Sequence, residues 1–362
     1  MPRIRIQQIP APLGALGFLL LLAGGFFLFQ GQQSRQDTPP RIEAPEAAGW
    51  SSLYFTDPSD PAAESLRGGP DQALAEAVDA ARYSVDVAIY HLDLWSVRDA
   101  LLRAQGRGLD VRLVVESDNL LEPEVQRLAD AGIPVVGDRR EPLMHHKFVV
   151  IDRFEVWTGS MNLTTGGAYR DNNNLIRIRS GPVAEDFTRE FEEMFVEDRF
   201  GALSQADTPY PRVTIEGVEV EVLFSPEDGV ARRIIELLSG ARNSIEFLAF
   251  SFTSDPIGEV LLERSRAGVT VRGVVDAGQV SAAGAEFARL RQAGLDVLLD
   301  GNEGLMHHKV FIVDDQAVVL GSYNFTRSAE EYNDEAVLIV HDAEIASRFL
   351  QEFERIYAQA GG

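Results

Sequence analysis

The chain contains no cysteine, which excludes disulfide bonds, thiolate metal sites and a cysteine nucleophile. Positive charge is also scarce, because the 33 Lys and Arg residues face 56 Asp and Glu residues and leave a formal net charge of -23 over 362 residues. A surface of this sign repels polyanions at long range, which argues against a tight nucleic-acid binder. It remains compatible with an enzyme that holds a single phosphate in a pocket.

Lysine is the rarest of the charged residues, since Lys147 and Lys309 are the only two in the chain. Every other long cationic side chain is arginine. An ammonium group is a compact point charge, whereas a guanidinium group is a planar fork. The two lysines therefore indicate two positions that require an ammonium group.

A stretch without charge lies near the start of the chain, in residues 11–29, after Arg3 and Arg5. As a helix it would rise by about 1.5 Å per residue and cross the hydrocarbon core of a bilayer. We expect residues 1–30 to be an uncleaved single-pass anchor, because no small-residue cleavage site follows. A cleaved signal peptide, and so a secreted protein, is the alternative. The arginines slightly favour an internal amino terminus, with the catalytic part outside the cytoplasm.

Residues 31–49 are rich in Gln and Pro and have no apolar period, which is typical of a tether. From residue 50 onward the chain repeats itself with a spacing of about 160 residues. Leu-Met-His-His-Lys, for example, stands at 143–147 and again at 305–309. We divide the chain into a first repeat at 50–206 and a second repeat at 207–362.

Each repeat has the same predicted order of elements, with apolar strands alternating with amphipathic helices and a hairpin after them. This order predicts an α/β fold in which helices cover a sheet. In the first repeat the helices are predicted at 74–81, 97–105 and 186–195, and the strands at 85–90, 111–115, 133–136, 147–151 and 155–158. Their counterparts are helices at 231–239, 257–266 and 343–357, and strands at 245–250, 271–275, 295–299, 309–313 and 317–320.

Both repeats carry the pattern His-x-Lys-x4-Asp-x6-Gly-Ser-x-Asn. The pattern specifies six positions, and the chain meets all six twice at corresponding places in the two repeats. This is a strong signal of a functional motif. The residues are His145, Lys147, Asp152, Gly159, Ser160 and Asn162 in the first repeat, and His307, Lys309, Asp314, Gly321, Ser322 and Asn324 in the second.

Strand geometry explains the spacing, because side chains two positions apart share one face. His145 and Lys147 should point the same way, and Ser160 and Asn162 should join them after the hairpin turns back. The same argument applies to the second repeat. His146 and His308 should point to the opposite face, so we expect them to have structural roles and not catalytic ones.

The aspartates of the pattern, Asp152 and Asp314, end their strands. We expect each carboxylate to secure the turn or neighbouring backbone donors and not to touch the substrate.

Two imidazoles flanked by ammonium groups suit a phosphate better than a metal, since Lys147 and Lys309 would repel a divalent cation. We therefore expect no metal and no cofactor. One histidine can attack phosphorus while the other protonates the leaving oxygen. The lysines and asparagines can hold the non-bridging oxygens as charge develops.

This duplicated pattern resembles the HKD motifs of the phospholipase D superfamily, over residues 50–360. The resemblance implies a duplicated phospholipase D-like fold with two helix-flanked mixed sheets related by a pseudo-twofold axis. It also implies one active site shared by both motifs within a monomer, and a phosphohistidine intermediate. The residues that it assigns to catalysis are His145, Lys147, Asn162, His307, Lys309 and Asn324.

The superfamily often has a downstream carboxylate that orients the imidazole of the opposite motif. Glu335 occupies that place in the second repeat, and its counterpart in the first repeat is Asn173. We predict that Glu335 serves His145 and that Asn173 serves His307. This asymmetry favours His145 as the nucleophile and His307 as the general acid and later the general base.

Members of the superfamily act on phospholipids or on nucleic acids. The expected anchor and the acidic composition favour phospholipid head groups as the phosphodiester substrate. The segment Gly-Ser-Tyr-Asn-Phe-Thr at 321–326 resembles small bacterial nucleases, so an extracytoplasmic endonuclease is the alternative. A non-catalytic, membrane-tethered scaffold is a further alternative, disfavoured because both motifs are intact.

Overall fold

The computed structural model describes residues 49–362, which belong to one compact unit. The predicted anchor at 11–29 and nearly all of the predicted tether lie outside the described residues. Among residues 49–362, no helix combines the length and the apolar character that a membrane span requires.

The first repeat forms a mixed sheet of seven strands in the order β1-β7-β6-β5-β2-β3-β4. The strands are β1 (Ser51–Phe55), β2 (Ser84–Ile89), β3 (Asp110–Val115), β4 (Val135–Gly137), β5 (Lys147–Ile151), β6 (Glu155–Gly159) and β7 (Asn174–Arg179).

The second repeat forms a mixed sheet of eight strands in the order β12-β11-β10-β13-β14-β15-β9-β8. The strands are β8 (Arg212–Ile215), β9 (Val218–Ser225), β10 (Ser244–Ala249), β11 (Thr270–Val275), β12 (Asp296–Leu299), β13 (Lys309–Val313), β14 (Ala317–Gly321) and β15 (Glu335–His341).

Helices flank both sheets. They are α1 (Pro70–Ala80), α2 (Trp95–Gly106), α3 (Pro123–Asp130), α4 (Thr165–Tyr169) and α5 (Gly181–Phe195) in the first repeat, and α6 (Val230–Ser239), α7 (Asp255–Arg266), α8 (Phe287–Gln292), α9 (Arg327–Glu331) and α10 (Ala343–Gln359) in the second.

The long helices α5 and α10 start at side chains that cap their free backbone donors. Ser180 accepts from the N–H of Val183, and Asp342 accepts from the N–H of Ile345. Each helix then buries phenylalanines at a spacing of four residues, which places them on one face. These are Phe187 and Phe191 in α5, and Phe349 and Phe353 in α10.

The two repeats share one large hydrophobic cluster. Phe187 of α5, Val310 of β13 and Phe353 of α10 all belong to it and are fully buried. Burial of a phenylalanine side chain stabilises a fold by about 1.5–3 kcal/mol. Neither repeat can therefore be removed without exposing apolar surface of the other.

Strand register places both motifs at the same edge of their sheets. Strand β2 is parallel to β3 and antiparallel to β5, and Ile89 at its end pairs with Lys147 at the start of β5. In the second repeat Ala249 pairs with Lys309 in the same way. The motif histidines, two residues before these lysines, therefore lie at the edge of the sheet where the parallel strands end.

The predicted fold class is confirmed, since both sheets are mixed and flanked by helices. The sequence patterns missed strands β1 and β7 of the first sheet and β8, β9 and β15 of the second. Sheet one ends before α5 and sheet two begins at Arg212. The predicted boundary near residue 207 lies between the last element of the first repeat and the first strand of the second. It stays a prediction from the sequence repeat.

Candidate active site between the repeats

Backbone hydrogen bonds pin the first motif to the second repeat. The N–H of His145 donates to the carbonyl of Asp334 at 2.9 Å, and the N–H of Asp334 donates to the carbonyl of Leu143 at 3.0 Å. The segment before β5 is therefore paired with the segment before β15.

The second motif is pinned to the first repeat by the same pair of bonds. The N–H of His307 donates to the carbonyl of Asn172 at 2.9 Å, and the N–H of Asn172 donates to the carbonyl of Leu305 at 2.7 Å. This reciprocity is the pattern of an approximate twofold axis, and it brings the two motifs into one site.

The side chains that hold the two histidines are those that the sequence predicts. His145 Nδ1 lies 2.7 Å from Glu335 Oε2, and both side chains are buried. His307 Nδ1 lies 3.0 Å from Asn173 Oδ1 and 3.1 Å from the carbonyl oxygen of Ser160. Because all of these partners are acceptors, the network assigns the proton to Nδ1 in both rings. Nε2 of each ring has no hydrogen-bond partner among residues 49–362.

Each lysine is held beside the histidine of its own motif. Lys147 Nζ donates to the carbonyl of His145 at 2.8 Å, and Lys309 Nζ donates to the carbonyl of His307 at 2.7 Å. Both lysines are almost completely buried. Burial lowers the pKa of Lys147 to about 7, against the opposing effect of Glu335. Burial, followed by Lys147, lowers the pKa of Lys309 well below its usual range.

The electrostatics show that the four side chains share one space. Burial, and then the two ammonium groups of Lys147 and Lys309, lower the pKa of both His145 and His307 well below 6.5. Each histidine thus senses the lysine of the opposite repeat as well as its own. A lowered pKa favours the neutral imidazole, which has a nitrogen lone pair available for attack.

The serines do not converge with the histidines and lysines as predicted. Ser160 Oγ donates to Asn173 Oδ1 at 2.8 Å, and Ser322 Oγ accepts from the N–H of Ala336 at 3.0 Å and is hydrogen-bonded to Glu335. Both serines are fully buried. Each hydroxyl therefore supports an orienting side chain, since Ser160 and Ser322 follow the last residues of β6 and β14 and hydrogen-bond to Asn173 and Glu335.

The asparagines of the motifs, Asn162 and Asn324, are half-buried. In each, Oδ1 has no hydrogen-bond partner within the described part of the chain. Their roles in catalysis stay predictions.

The motif aspartates make the structural contacts that the sequence predicts. Asp152 accepts from the backbone N–H groups of residues 82, 83 and 84, and Asp314 accepts from those of residues 242, 243 and 244. Each carboxylate thereby ties the end of the motif strand to the start of the neighbouring strand.

The second histidine of each motif points away from the site. His146 Nε2 lies 2.8 Å from Glu190, and His308 Nε2 lies 3.2 Å from Glu352. Both rings are completely buried. They join β5 to α5 and β13 to α10.

Sequence reasoning missed four residues next to the motifs. The ring of Tyr90 lies 5.0 Å from that of His145, and the ring of Phe250 lies 4.8 Å from that of His307. Each ring also faces the ammonium group of the neighbouring lysine, a favourable cation–π arrangement. The missed carboxylates are Glu116 and Asp276.

Glu116 and Asp276 hold the residue that precedes each motif histidine. Glu116 accepts from the N–H of Met144 at 2.7 Å, and Asp276 accepts from the N–H of Met306 at 3.0 Å. Burial, followed by Asp138, raises the pKa of Glu116 to about 7. These residues follow β3 and β11 at corresponding places, so alignment of the two repeats could have found them.

A family model described as "Cardiolipin synthase, PLD-like domain" matches residues 74–195 and again residues 234–357. The chain therefore belongs to the phospholipase D superfamily, with one copy of the domain in each repeat.

Two curated relatives are similar to parts of the chain. The mouse protein "Mitochondrial cardiolipin hydrolase" is 39% identical over 127 residues, which are 35% of this chain and 58% of that protein. The "Phospholipase D" of Rickettsia bellii is 30% identical over 152 residues, which are 40% of this chain and 76% of that protein. The chain spans about half the length of the curated relatives that it matches first.

A solved structure is similar over almost the whole fold. The phosphatidylserine synthase of Haemophilus influenzae aligns with a TM-score of 0.60 over 87% of this chain and 87% of that chain, at 16% identity. At this identity the likeness concerns the fold alone.

Proposed function

We propose that the protein is a phospholipase D-type hydrolase that cleaves phospholipid head groups at a membrane through a phosphohistidine on His145. One observation carries the proposal: the His-Lys pairs of both motifs lie in one buried site, with Nδ1 of His145 held by the carboxylate of Glu335 at 2.7 Å. That contact leaves Nε2 of His145 free to act as a nucleophile.

In the first step Nε2 of His145 attacks phosphorus, and the bond from phosphorus to the leaving oxygen breaks. His307 gives its proton to that oxygen. An entering phosphodiester anion raises the pKa of nearby groups, because it stabilises their cationic forms. His307 therefore takes up a proton as the substrate binds. Lys147 and Lys309 hold the non-bridging oxygens, as asparagine amides can also do.

In the second step His307 removes a proton from water, and the water oxygen attacks the phosphorus of the phosphohistidine. The bond between phosphorus and Nε2 breaks and returns His145 to its neutral form. Phosphorylation makes the imidazole cationic, and the carboxylate of Glu335 stabilises that charge as the triad aspartate stabilises an imidazolium. Asn173 supplies only an amide oxygen to His307.

The charge distribution supports lipid over nucleic acid. Arginines that could track a polyanion are occupied by carboxylates: Arg189 and Arg233 each contact two, and Arg112 contacts three. Nucleic-acid binding requires unpaired Lys or Arg side chains that can contact the phosphate backbone of the nucleic acid. The names of both relatives also point to lipid chemistry.

Membrane attachment through residues 11–29, with the catalytic part outside the cytoplasm, is part of the proposal and rests on the uncharged stretch alone. Fractionation should leave the full chain in the membrane and a chain that begins at residue 49 in solution. A released native protein whose amino terminus lies beyond residue 30 would instead identify a cleaved signal.

The activity test offers the protein four substrates in parallel: phosphatidylcholine vesicles with and without cardiolipin, single-stranded DNA, double-stranded DNA and a chromogenic phosphodiester. We expect head-group release and cleavage of the chromogenic ester at rates that excess chelator leaves unchanged. Cleavage of DNA beside intact vesicles would favour the endonuclease. Loss on chelation that zinc or calcium restores would contradict the proposed chemistry.

A further inference from the structure

Exposed apolar side chains gather at the edge of the sheets that carries the two motifs. The described part of the chain exposes ten large apolar side chains, and five of them lie at or beyond the end of a strand that runs towards this edge, or shortly before a strand that starts there. These five are Trp95, Leu121, Leu299, Leu305 and Tyr332. Single exposed apolar residues are ordinary, whereas a group of them marks an interaction surface.

The two most exposed of the five form one patch on the first repeat. Leu121 is 84% exposed and Trp95 is 52% exposed. Trp95 stands one helical turn before Arg98 in α2, and Leu121 stands three residues before Glu124 in α3. The guanidinium group of Arg98 contacts the carboxylate of Glu124, so both apolar side chains flank the same ion pair. We call this surface the Trp95 patch.

The Trp95 patch borders the candidate active site. The side chain of Asn119, two residues before Leu121, donates to the carbonyl of Tyr90 at 2.7 Å. The ring of Tyr90 in turn lies against the ring of His145. The patch is therefore continuous with the wall of the site that holds His145.

Charged side chains beside the patch are paired with opposite charges. Arg98 contacts Asp99 as well as Glu124, and His91 Nε2 lies 3.5 Å from the carboxylate of Glu122. A polyanion needs unpaired cations, whereas tryptophan and leucine beside neutralised charges suit the boundary between lipid head groups and acyl chains.

The patch does not follow from the fold that both repeats share. Asp255 begins α7 as Trp95 begins α2, and Ser281 stands five residues after Asp276 as Leu121 stands five residues after Glu116. Both counterparts are polar. The first repeat thus carries apolar side chains where the second repeat shows that the same loops do not require them.

The chain before the described fold is long enough for the motif edge to face a bilayer. The fold starts at the opposite edge, where the N–H of Arg179 at the end of β7 donates to the carbonyl of Trp50 at 2.7 Å. A strand as short as β1 covers about 17 Å. Residues 31–48 number 18, and an extended chain of that length spans up to about 60 Å.

We propose that the Trp95 patch docks on a phospholipid bilayer and inserts the side chains of Trp95 and Leu121 at the boundary of head groups and acyl chains. The inference rests on the proposed function and adds the contact through which the lipid reaches the site. Insertion beside Tyr90 brings the phosphodiester layer of the bilayer to the wall that holds His145.

Quenching by brominated lipid measures this insertion. The full chain is mixed with phosphatidylcholine vesicles, with or without bromine on the acyl chains, and Trp95→Phe is subtracted because Trp50 and Trp157 also emit. Bromine should reduce the Trp95 emission at least about twofold, since interfacial side chains lie about 5–10 Å into the boundary. The control Trp95→Phe/Tyr83→Trp carries its tryptophan at the opposite edge, and that tryptophan should not be quenched.

Kinetics provide an independent measurement, the ratio of kcat/KM on vesicles to kcat/KM on a soluble chromogenic ester. Trp95→Ala/Leu121→Ala should lower this ratio at least about threefold, because apolar burial in the bilayer is lost. Tyr83→Ala/Phe154→Ala removes two exposed apolar side chains at the opposite edge and should leave the ratio unchanged.

Unquenched Trp95, equal quenching of the tryptophan at position 83, or an equal fall in the ratio for both alanine pairs would overturn the proposal. Unquenched Trp95 together with dimers that Trp95→Ala/Leu121→Ala dissociates would identify a second copy of the chain as the occupant. Head-group release with unquenched Trp95 would overturn this inference and leave the proposed function standing. Quenching without release would contradict the proposed function and leave the docking surface.

Discussion

The two histidines of the site differ in the group that contacts Nδ1. A carboxylate of Glu335 holds His145, and an amide oxygen of Asn173 holds His307. A carboxylate stabilises the cation that forms on phosphorylation, whereas an amide oxygen only orients the ring. We therefore predict that His145, beside Glu335, is the nucleophile and that His307 is the proton carrier.

Replacement of the proton carrier should affect substrates unequally. His307→Ala should slow release of a lipid alkoxide by about 10²–10⁴-fold, because that leaving group needs a proton. It should still phosphorylate itself from a nitrophenyl phosphodiester, whose leaving group needs little protonation. His145→Ala is the matched control and should form no covalent species from either ester, as burst kinetics would show. Equal losses on both esters for His307→Ala would argue against its role as an acid.

The pH dependence should be bell-shaped with a maximum near pH 7. Burial raises the pKa of Glu335 to about 7 and lowers the pKa of Lys147 to about 7. Below this pH Glu335 takes up a proton and loses its charge, and above it Lys147 loses the proton that makes it cationic. The measurement is kcat/KM between pH 5 and pH 9 on a chromogenic ester.

Two variants assign the acidic limb of that profile. Glu335→Gln should remove the acidic limb of the profile. It should also lower kcat/KM by about 10²–10⁴-fold. Asn173→Asp should keep it, because Glu335 remains. A flat profile for the wild type would show that these two groups do not control the reaction.

At the scale of elements, each motif hairpin is tied to the neighbouring strand by one aspartate. The carboxylate of Asp314 accepts from three consecutive backbone N–H groups. Burial opposes ionisation, but these donors outweigh it and lower the pKa of Asp314 below 3.8.

Asp314→Ala should reduce the free energy of unfolding by about 1–3 kcal/mol, measured in urea. Asn keeps one acceptor oxygen, so Asp314→Asn should lose less. Because the folded-state pKa is lowered, this contribution is present above pH 3.8 and disappears as the pH falls through the folded-state pKa. A difference between wild type and variant that persists at the lowest pH would contradict the argument.

The sequence predicts the elements that local patterns define and misses those that depend on distant partners. The hairpin at 147–158 and the helix predicted at 186–195 have strong apolar periods, although the helix begins earlier, at Gly181. Strand β15 is buried over most of its length and pairs with β9, more than a hundred residues away in the chain. No local pattern defines that pairing.

The same limit applies within the site. Strand alternation predicts that each His-Lys pair shares one face, although His145 and His307 precede β5 and β13. It also put the hydroxyls of Ser160 and Ser322 on the cleft, whereas they hydrogen-bond to the orienting residues Asn173 and Glu335. Family resemblance supplied Glu335 and Asn173.

At the scale of the molecule, the repeats share both a core and an active site. The large hydrophobic cluster contains residues of both sheets, and each motif histidine is paired with the backbone of the opposite repeat. One chain therefore holds every residue that the proposed reaction needs.

Isolated repeats, 49–206 and 207–362, should each be inactive, because one repeat supplies only one histidine for a reaction that needs two. The full-length variants His145→Ala and His307→Ala should also fail to restore each other when mixed, since each site is built within one chain. Turnover of a lipid substrate is the measurement. An active and strictly monomeric repeat would contradict a shared site, and recovery on mixing would indicate sites built between two chains.

Identification of the phosphorylated residue tests the central claim most directly. The wild type is mixed with a nitrophenyl phosphodiester, quenched without acid to preserve a phosphoramidate bond, and digested for mass spectrometry. Our account predicts phosphate on His145 and an unmodified His307. Phosphate on His307, or a labelled His145→Ala variant, would contradict it.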